Sequence, residues 1–407
     1  MGQIMHLGDG RANVARTRVL KVKSNAHPKR ALVLGGGGIA GASFEIGALL
    51  ALNDVFKDFT ASDFDIYVGT SAGAFLCACL ANGITPEDFA RSQIGVPPDH
   101  VPRIRRKEIL KPISHRAVRG ATAWAKGLSH TTRQVARSGL STSMIDVFFS
   151  IAGDMGSSMY TTDGVSSYLA KLFDFGGRSD EFSELKKQLF VTATDIDTGE
   201  RVVFGAEGMR QAKISEAAAA SAAIPVIYEP VRIGNREYLD GGLTSPTNID
   251  IALDQGADFV VVINPLIPYL HDPSYLLRGF ETPIRHLSEG GMGRLIAQVF
   301  RIMARSQLDK ELELIRARTN ANVLVVEPRR DAEHLFVFNL MDYGAREQMA
   351  KDAFEQVAVD LVTHLPALRR FCSKAGIGLS KGRVLQQLKS VVSGGTVRDL
   401  LNQKDSA

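Results

Sequence analysis

The sequence predicts an α/β fold with three layers, in which helices cover both faces of a mainly parallel central sheet. Short apolar runs without polar alternation are typical of strands that are buried on both sides. Segments with helical periodicity lie between these runs, and strands that alternate with helices form a parallel sheet. The apolar runs cover residues 31–34, 64–68, 189–193, 259–263 and 323–326. The helical segments cover residues 44–56, 72–81 and 214–223.

The composition is that of an ordinary globular protein. Of the 407 residues, 45% are hydrophobic and 23% are charged, which is enough to bury a core in one large domain or two smaller ones. No apolar stretch reaches the roughly 20 residues of a membrane-spanning helix, and the N-terminus lacks the apolar core of a signal peptide. Cys77 and Cys79, two of the three cysteines, share one apolar helix, which argues against a disulfide framework. We therefore expect a cytoplasmic protein, with peripheral contact at the inner face of the membrane left open.

Positive charge is unevenly distributed along the chain. The formal net charge is +4, yet residues 1–30 hold seven Lys or Arg against one acid, and residues 101–140 hold ten against one. Such asymmetry indicates contact with an anionic surface.

Composition also predicts the domain organisation. We expect a basic, mobile leader over residues 1–27, a catalytic domain over 28–345 and a C-terminal helical extension over 346–407. Residues 95–160 are rich in Pro, Gly and Ser and contain no clear strand, so they are expected to form a basic, lid-like insertion in the catalytic domain.

Apolar residues recur every three to five positions beyond residue 290. They are Leu295, Val299, Met303, Leu308, Leu312 and Ile315. This spacing predicts an amphipathic helix. Packing of its apolar stripe on the catalytic sheet is the favoured interpretation, and a helix that binds a partner is the alternative.

The residues 69–73, Gly-Thr-Ser-Ala-Gly, carry the strongest functional signal. They follow the apolar run 64–68 and lead into the small-residue helix 74–80. A strand, G-x-S-x-G and a helix form a nucleophile elbow, in which the flanking Gly69 and Gly73 permit a tight turn and the serine is exposed at its tip. Ser71 is therefore a candidate nucleophile, and the chain is predicted to be a hydrolase.

A second glycine-rich turn, residues 35–41, follows the first predicted strand and opens a helix. Its glycines satisfy G-x-G-x-x-G, the fingerprint of dinucleotide binding. That fingerprint needs an acid at the end of the next strand, where this chain has Gly69-Thr70. The same geometry could instead form an oxyanion hole from the backbone N–H groups of Gly36, Gly37 and Gly38. A tight turn without chemistry is the remaining interpretation.

A nucleophilic serine needs a base. None of the nine histidines lies in a small-residue turn after a clear strand. Asp240 is a better candidate, because a short predicted strand ends at this acid and Gly241 and Gly242 follow it. An ordinary Asp-Gly turn is the alternative.

These motifs together resemble the patatin-like phospholipases. The resemblance rests on residues 35–41, 69–73 and 240–242, with the Ala- and Ser-rich segment 220–225, Pro230 and the segment 194–200 in support. It covers roughly residues 28–265. Many relatives carry Arg or Lys where this chain has Ala40.

The resemblance implies a catalytic dyad without histidine, with Ser71 as nucleophile and Asp240 as base. A free aspartate has a pKa near 3.9 and is a weak base, so we expect burial to raise the pKa of Asp240. Asp195 and Asp197 are assigned to turn architecture. No metal or organic cofactor is expected, because no ligand cluster has a recognisable metal spacing.

The basic insertion is a candidate for membrane contact. Its candidate residues are Arg103, Arg105, Arg106, Lys107 and Trp124. Cationic side chains attract anionic lipid, and tryptophan favours the headgroup zone. A solvated basic loop is the alternative. Nucleic acid is not an expected partner, since aromatic residues are sparse and no binding motif occurs.

The sequence thus predicts a lipid acyl hydrolase that cleaves phospholipid or another long-chain acyl ester through an acyl-enzyme on Ser71. Two alternatives stay open. One is an esterase or lipase of the α/β-hydrolase type with a Ser-His-Asp triad, in which His271 or His286 follows Asp240 in chain order. The other is a non-catalytic lipid- or nucleotide-binding module on the same fold.

Overall fold

A computed structural model describes most of the chain. The described residues are 3–8, 15–16, 28–113, 158–277, 283–318, 321–330, 332, 341–393, 395–397, 399 and 401.

A ten-stranded sheet forms the centre of the described part of the molecule. Its strands are β1 (Gln3–Leu7), β2 (Ala15–Arg16), β3 (Arg30–Leu34), β5 (Ile66–Thr70), β8 (Gln188–Asp195), β9 (Arg201–Phe204), β11 (Val231–Ile233), β12 (Arg236–Asp240), β13 (Phe259–Ile263) and β14 (Asn322–Val326). Smaller sheets contain β4 (Phe56–Lys57) with β15 (Gly378–Leu379), and β6 (Lys111–Pro112) with β7 (Ser158–Thr161) and β10 (Val226–Tyr228).

The order across the large sheet is β11-β12-β8-β5-β3-β13-β14-β1-β2, with β9 paired to β8. All pairs between β8 and β1 along this order are parallel. The pairs beyond them, at both edges, are antiparallel. The predicted mainly parallel sheet is confirmed.

Helices cover both faces of the sheet. They are α1 (Gly38–Val55), α2 (Ala72–Ala81), α3 (Pro86–Gln93), α4 (Arg106–Ile109), α5 (Asp163–Phe173), α6 (Ile214–Ser221), α7 (Ile249–Asp254), α8 (Met292–Arg318), α9 (Arg346–Thr363), α10 (Leu365–Ser373) and α11 (Gly382–Val392).

Side chains alternate between the two faces of each buried strand, as the pleat requires. On β3, Leu32 and Leu34 join the core formed with α1, α2 and α9. Ala31 and Val33 point to the opposite face and pack with residues of α7 and of the C-terminal half of α8. Two cores on opposite sides of one sheet confirm the three-layer α/β/α fold.

One helix among the described residues, Gly38–Val55, is long and apolar enough to cross a membrane. It is 94% buried within the fold, where it connects the glycine-rich turn to the core.

Strand β1 corrects the prediction of a mobile leader. Residues 3–7 pair in parallel with β14, and Met5 and Leu7 are buried in the core. The mobile leader is therefore wrong for these residues, because their three apolar side chains are buried where the strand pairs with β14. The basic character of residues 9–30 concealed this short strand in the composition.

The predicted insertion and C-terminal helices also meet the main body. The ends of the insertion form β6 and β7, which β10 extends to three strands. Residues 114–157, most of this predicted insertion, lie outside the described part.

Helices α9 and α10 contribute Phe354, Leu361 and Phe371 to the same core as α1, so these helices have no separate core.

Candidate active site

Ser71 lies in the turn between β5 and α2, where its backbone is strained. Its φ and ψ angles are 56° and −123°, a conformation that costs energy for a residue with a side chain and that is typical of functional turns. A Cβ atom on Gly73 would overlap the carbonyl oxygen of Leu34, and one on Gly69 would overlap Ala74. The predicted elbow is therefore present. Gly73 permits the close approach of α2 to β3, and Gly69 permits that of α2 to its own strand β5. The predicted exposure of Ser71 at the tip is wrong, since the residue is 3% exposed; neighbouring elements cover the turn, and Ser71 instead lines two cavities.

The backbone N–H of Ser71 is already engaged. It donates a 2.7 Å hydrogen bond to the hydroxyl oxygen of Ser221, at the end of α6. The neighbouring residues on α6 are alanines, so the helix can pack closely against α2. The resemblance marked this Ala- and Ser-rich segment, but the sequence alone did not indicate that Ser221 would anchor the elbow.

The glycine-rich turn lies directly beside Ser71. A Cβ atom on Gly36 would lie 3.2 Å from Ser71 Cβ and 3.8 Å from Ser71 Oγ. The turn is held from two sides, because the Gly73 N–H donates to Gly35 O at 3.1 Å and the Gly41 N–H donates to Gly37 O at 2.8 Å. Among the described residues, no hydrogen-bond partner occupies the N–H groups of Gly36 and Gly37, which leaves them available to an anion.

Asp240 ends β12, two strands away from β5 in the sheet. The intervening strand is β8, on which Thr192 pairs with Thr70 and Ala193 pairs with Asp240. A Cβ atom on Gly241 would overlap Thr192 O. The absence of a side chain on Gly241 therefore lets the chain fold down onto β8 and brings the Asp240 carboxylate towards Ser71.

Burial shifts the acidity of Asp240. The side chain is 6% exposed, and desolvation raises its pKa from 3.8 to about 6. The nearby Ser71 hydroxyl and the Gly242 N–H, which donates a 2.7 Å hydrogen bond to Asp240 Oδ1, stabilise the ionised form and limit this rise. The structure thus brings Ser71 and Asp240 together, and the carboxylate is a stronger base than a free aspartate.

A buried polar network contacts Thr70, which precedes Ser71, and the backbone of Asp240. Asn248, in the left-handed region with φ 59°, donates hydrogen bonds of 2.9 Å to Thr70 Oγ1 and 3.2 Å to Thr192 Oγ1. The Thr194 hydroxyl donates to Asp240 O at 3.0 Å. Sequence reasoning missed Asn248 and both threonines of β8; Thr70, inside the elbow motif, was the only local signal.

Two cavities meet at Ser71. The first, named here the deep cavity, has about 930 Å³ of empty space including its mouth and extends between α1, α2 and α5. Its walls are almost entirely apolar, and they include Ile39, Ala42, Ile46, Phe75, Phe89, Val165 and Tyr168. The second, the outer cleft, has about 680 Å³ and contains both Ser71 and Asp240. Its opposite wall consists of Leu243, Leu266, Phe300, Met303, Ala304 and Gln307.

The predicted membrane contacts are only partly within the described residues. Arg103, Arg105, Arg106 and Lys107 are exposed, whereas Trp124 lies outside the described part. Ile104 and Ile109, in the same segment, line the deep cavity. The four cationic residues therefore belong to the same chain segment as two residues that line the deep cavity.

Two other groups of residues take no part in the site. His271 Nε2 donates a 2.7 Å hydrogen bond to Arg285 O on the surface, and His286 precedes a short 3-10 helix. No histidine of the described residues lines either cavity. Asp195 accepts hydrogen bonds from the N–H groups of Asp197 and Thr198 and pairs with Arg236, which lowers its pKa; this arrangement is the turn role assigned from the sequence.

The described residues offer no group of three or more His, Cys, Asp or Glu side chains that could hold a metal ion. The glycine-rich turn lines the outer cleft beside Ser71. Strand β5 ends at Thr70, where a dinucleotide site would need an acid.

Comparison with known proteins places this site in a family. The sequence model of the patatin-like phospholipases matches residues 32–253, a span that contains Gly36, Ser71 and Asp240. Solved structures with similarity include VipD from Legionella pneumophila, at 14% identity over 87% of this chain and 72% of that chain, with a TM-score of 0.38. A complex of ExoU with SpcU from the type III secretion system of Pseudomonas aeruginosa matches at 16% identity and a TM-score of 0.29.

The ExoU match covers 75% of this chain and 54% of that chain, so the present chain spans about half of its length. At these TM-scores, the family assignment depends on the sequence match and on the geometry described above. The match covers more than half of the chain, and the chain therefore belongs to the patatin-like phospholipase family.

Proposed function

We propose that the protein hydrolyses carboxylic esters of long-chain lipids, with Ser71 as nucleophile and Asp240 as general base. The observation that supports this most directly is a serine in a strained, tight turn whose hydroxyl interacts with a buried carboxylate of raised pKa. Groups with perturbed pKa values in a cleft are candidates for catalysis.

In the first step, Ser71 Oγ attacks the ester carbonyl carbon and its proton passes to the Asp240 carboxylate. With a pKa of about 6, Asp240 is mostly ionised at pH 7 and still basic enough to accept a proton in the transition state. The C–O bond to the leaving alcohol then breaks, and protonated Asp240 gives its proton to the departing alkoxide. The ester is now an acyl-enzyme on Ser71.

In the second step, water replaces the alcohol. Asp240, ionised again, takes a proton from the water as it attacks the acyl carbonyl, and returns a proton to Ser71 Oγ as the fatty acid leaves. Each tetrahedral intermediate carries an oxyanion. The N–H groups of Gly36 and Gly37 are positioned to stabilise it, with Gly38 at the positive end of α1. The N–H of Ser71 cannot contribute, because it is bonded to Ser221.

The deep cavity supports a long acyl chain as the part of the substrate that forms the acyl-enzyme. It begins at Ser71, and its apolar lining is that of a site for a hydrophobic ligand. The alcohol of the ester would then occupy the outer cleft, next to Asp240. Phospholipids and other long-chain acyl esters fit this division.

Both alternatives from the sequence have less support. A Ser-His-Asp triad needs an imidazole between Ser71 and Asp240, yet both residues line the outer cleft and neither His271 nor His286 lines either cavity. A non-catalytic lipid-binding module would need neither the strained φ of Ser71 nor a buried carboxylate beside it.

We also propose peripheral membrane contact by the exposed residues Arg103, Arg105, Arg106 and Lys107, which lie next to the lining residues Ile104 and Ile109. Each cation near an anionic leaflet contributes about 1 kcal/mol. Neutralising the four side chains should weaken co-sedimentation with anionic vesicles. Binding that is insensitive to salt or to this change would contradict the proposal.

The proposed activity is tested by product analysis. The purified chain is incubated with mixed phospholipids and neutral acylglycerols, and released fatty acids are identified by mass spectrometry. We expect fatty acid release by the unchanged protein and none above background by Ser71→Ala. Equal release by both proteins would exclude the proposed nucleophile, and no release by either from any ester would exclude the activity.

A further inference from the structure

The deep cavity has a polar corner in its largely apolar wall. The corner consists of Gln93, the last residue of α3, and Arg346, the first residue of α9, which both line the cavity. The Arg346 guanidinium donates a 2.7 Å hydrogen bond to Gln93 O, so the two residues are direct neighbours. This pair, named here the polar corner, has no part in the proposed reaction of Ser71 and Asp240.

The tyrosine hydroxyls of the same wall already have partners. Tyr168, Tyr228 and Tyr343 donate to backbone carbonyl oxygens of the segment 102–109, at 2.7, 3.1 and 2.6 Å respectively. Among the described residues that line the deep cavity, two buried side-chain atoms have no hydrogen-bond partner, and they are Gln93 Oε1 and Arg346 Nε. Buried polar atoms are nearly always hydrogen-bonded, and a polar group bound at the corner would explain both exceptions.

The hydrogen bonds around Gln93 determine which end of its amide lacks a partner. The Ser43 hydroxyl donates to Ile39 O at 3.0 Å within α1. Its oxygen is therefore left to accept the N–H of Gln93 Nε2, at 3.4 Å. Because the amide nitrogen points at Ser43, Oε1 is the end without a partner. The side chain is only 9% exposed, so a ligand at this position must donate a hydrogen.

The guanidinium of Arg346 is held by contacts on several sides. It donates to Tyr343 O and to Gln93 O, each at 2.7 Å, and its Cζ lies 4.1 Å from the centre of the Tyr343 ring. These contacts leave the buried Nε–H without an acceptor. A ligand at the polar corner must therefore also offer an acceptor atom to Arg346.

A hydroxyl group meets both requirements, because its oxygen donates one hydrogen bond and accepts others. An ionised carboxylate or a phosphodiester would satisfy Arg346 but has no hydrogen to donate to Gln93 Oε1. An unsubstituted acyl chain would cover the corner and leave both atoms buried and unpaired, which disfavours its binding.

The polar corner lies at a distance from the reacting carbonyl. Gly38 lines both cavities beside Ser71, and Ser43, to which Gln93 is bonded, lies five residues further along α1. Five residues of helix rise about 7.5 Å. A hydroxyl that reaches the corner therefore belongs to the body of an acyl chain and not to its ester group.

We propose that the deep cavity selects acyl chains that carry a hydroxyl group partway along their length, and that this hydroxyl binds Gln93 Oε1 and Arg346 Nε. The proposal rests on the proposed function, which assigns the deep cavity to the acyl chain. Gln93 and Arg346 determine specificity, and they take no part in the covalent steps.

The test measures binding without turnover, in the variant Ser71→Ala. The ligands are methyl stearate and a series of methyl stearates with one hydroxyl at successive chain positions, and isothermal titration calorimetry gives each Kd. The test variant adds Gln93→Met, which keeps a long side chain and removes the amide. The matched control adds Gln387→Met on α11, where a glutamine that is 2% exposed also has an unpartnered Oε1 but lines neither cavity.

In Ser71→Ala, at least one hydroxylated ester should bind about tenfold more tightly than methyl stearate. With Gln93→Met the order should reverse, because burial of a hydroxyl without its acceptor is costly. The control should keep the preference. Each protein is compared with itself, so a general loss of stability cannot produce the reversal. Arg346→Lys keeps the charge and lacks the Nε–H, so it should weaken the same preference, and it decides the question if Gln93→Met does not fold.

Hydroxylated esters that bind no more tightly than methyl stearate at every position would overturn the proposal and assign the polar corner to bound water. A preference that survives Gln93→Met, or that Gln387→Met abolishes equally, would also overturn it.

Hydrolysis by the unchanged chain separates this proposal from the proposed activity. Hydrolysis of the esters together with equal binding of hydroxylated and plain chains would overturn the hydroxyl site alone. Hydroxyl-dependent binding that Gln93→Met abolishes, without hydrolysis of any ester, would support the site and exclude the activity.

Discussion

The two walls of the active site are built in different ways. The catalytic wall consists of backbone at the ends of strands: the turn of Gly36 and Gly37, the elbow of Ser71 and the bend after Asp240. The lipid-facing wall consists of ordinary apolar side chains, such as Ala42 and Phe75 in the deep cavity and Met303 in the outer cleft. In the catalytic wall, an added Cβ atom would lie very close to neighbouring atoms. The lipid-facing wall instead surrounds two cavities. Changes in the first should therefore affect every substrate, and changes in the second should discriminate between substrates.

A large loss of ester turnover is expected for Gly36→Ala in the catalytic wall. The new Cβ would lie 3.2 Å from Ser71 Cβ and 3.8 Å from Oγ, where the attacked carbonyl must enter. Since small misplacements of reacting groups cost about 100-fold, we expect kcat/KM to fall about 100-fold or more for short and long acyl esters alike. Steady-state hydrolysis of p-nitrophenyl butyrate and palmitate measures both.

The matched control is Gly293→Ala on α8, where a Cβ would have no neighbour within 4 Å. It should hydrolyse both esters at the unchanged rate. A loss in Gly36→Ala that is confined to the long ester would break the comparison between the walls, because it would assign Gly36 to chain recognition.

The next largest effect is on the pH dependence. Burial raises the pKa of Asp240 to about 6, and the ionised carboxylate is the proposed base. As pH falls below about 6, Asp240 becomes protonated, so kcat/KM should decrease about tenfold per pH unit. Stopped assays with a soluble ester between pH 4 and 8 measure this acid limb of the pH profile of kcat/KM.

A change in the lipid-facing wall should not shift the pH at which kcat/KM begins to fall, because it alters no group near the carboxylate. A pH limb that shifts with the variant Ala42→Leu would show that the two walls are not independent.

Ala42→Leu should have a smaller and selective effect. Ala42 lies on α1 and lines the deep cavity, so a leucine would fill part of the space for the acyl chain. We expect kcat/KM to fall about tenfold for palmitoyl esters, the scale of a few methylenes in an apolar pocket, and to stay unchanged for butyryl esters. Ala170→Leu, half-buried on α5 but outside both cavity linings, is the control. Equal losses for both chain lengths would contradict the assignment of the deep cavity.

A separate prediction concerns stability. At pH 8 the ionised Asp240 is buried, and a pKa of about 6 against 3.8 means that the folded state disfavours the charge. Asp240→Asn should therefore raise the free energy of unfolding by about 2–3 kcal/mol at pH 8. The gain should shrink as pH falls through 6, because native Asp240 then becomes neutral. Urea unfolding at pH 8 and pH 5 measures it, and a loss of stability at pH 8 would contradict the burial of an ionised carboxylate.

The same contrast explains what the sequence could predict. Ser71, Asp240 and the glycines beside them lie in short motifs, because strained turns and close backbone approaches need specific residue types at fixed spacing. Strands β3, β5, β8, β13 and β14 were equally visible as apolar runs, whereas the short strand β1 was not. Ser71 and Asp240 could be paired only through the family resemblance, since 169 positions along the chain separate them.

The remaining features have no local signature. Asn248 bonds to Thr70 and Thr192 across the sheet, and nothing in its own neighbourhood distinguishes it from any loop asparagine. The apolar spacing of α8 was correctly predicted to be helical, but it could not reveal that Leu308 is buried while Val299 is exposed. That difference depends on where the sheet ends, which is a property of the whole fold.

The central claim is that a carboxylate, and not an imidazole, activates the serine. The most direct measurement is the rate constant for covalent labelling of Ser71 by a fluorophosphonate at pH 7, in Asp240→Asn and in the double variant His271→Ala with His286→Ala. We predict a decrease of about 1,000-fold or more in Asp240→Asn, and an unchanged rate in the histidine variant. Labelling of Asp240→Asn at the rate of the unchanged chain, or a loss of labelling in the histidine variant, would contradict the account.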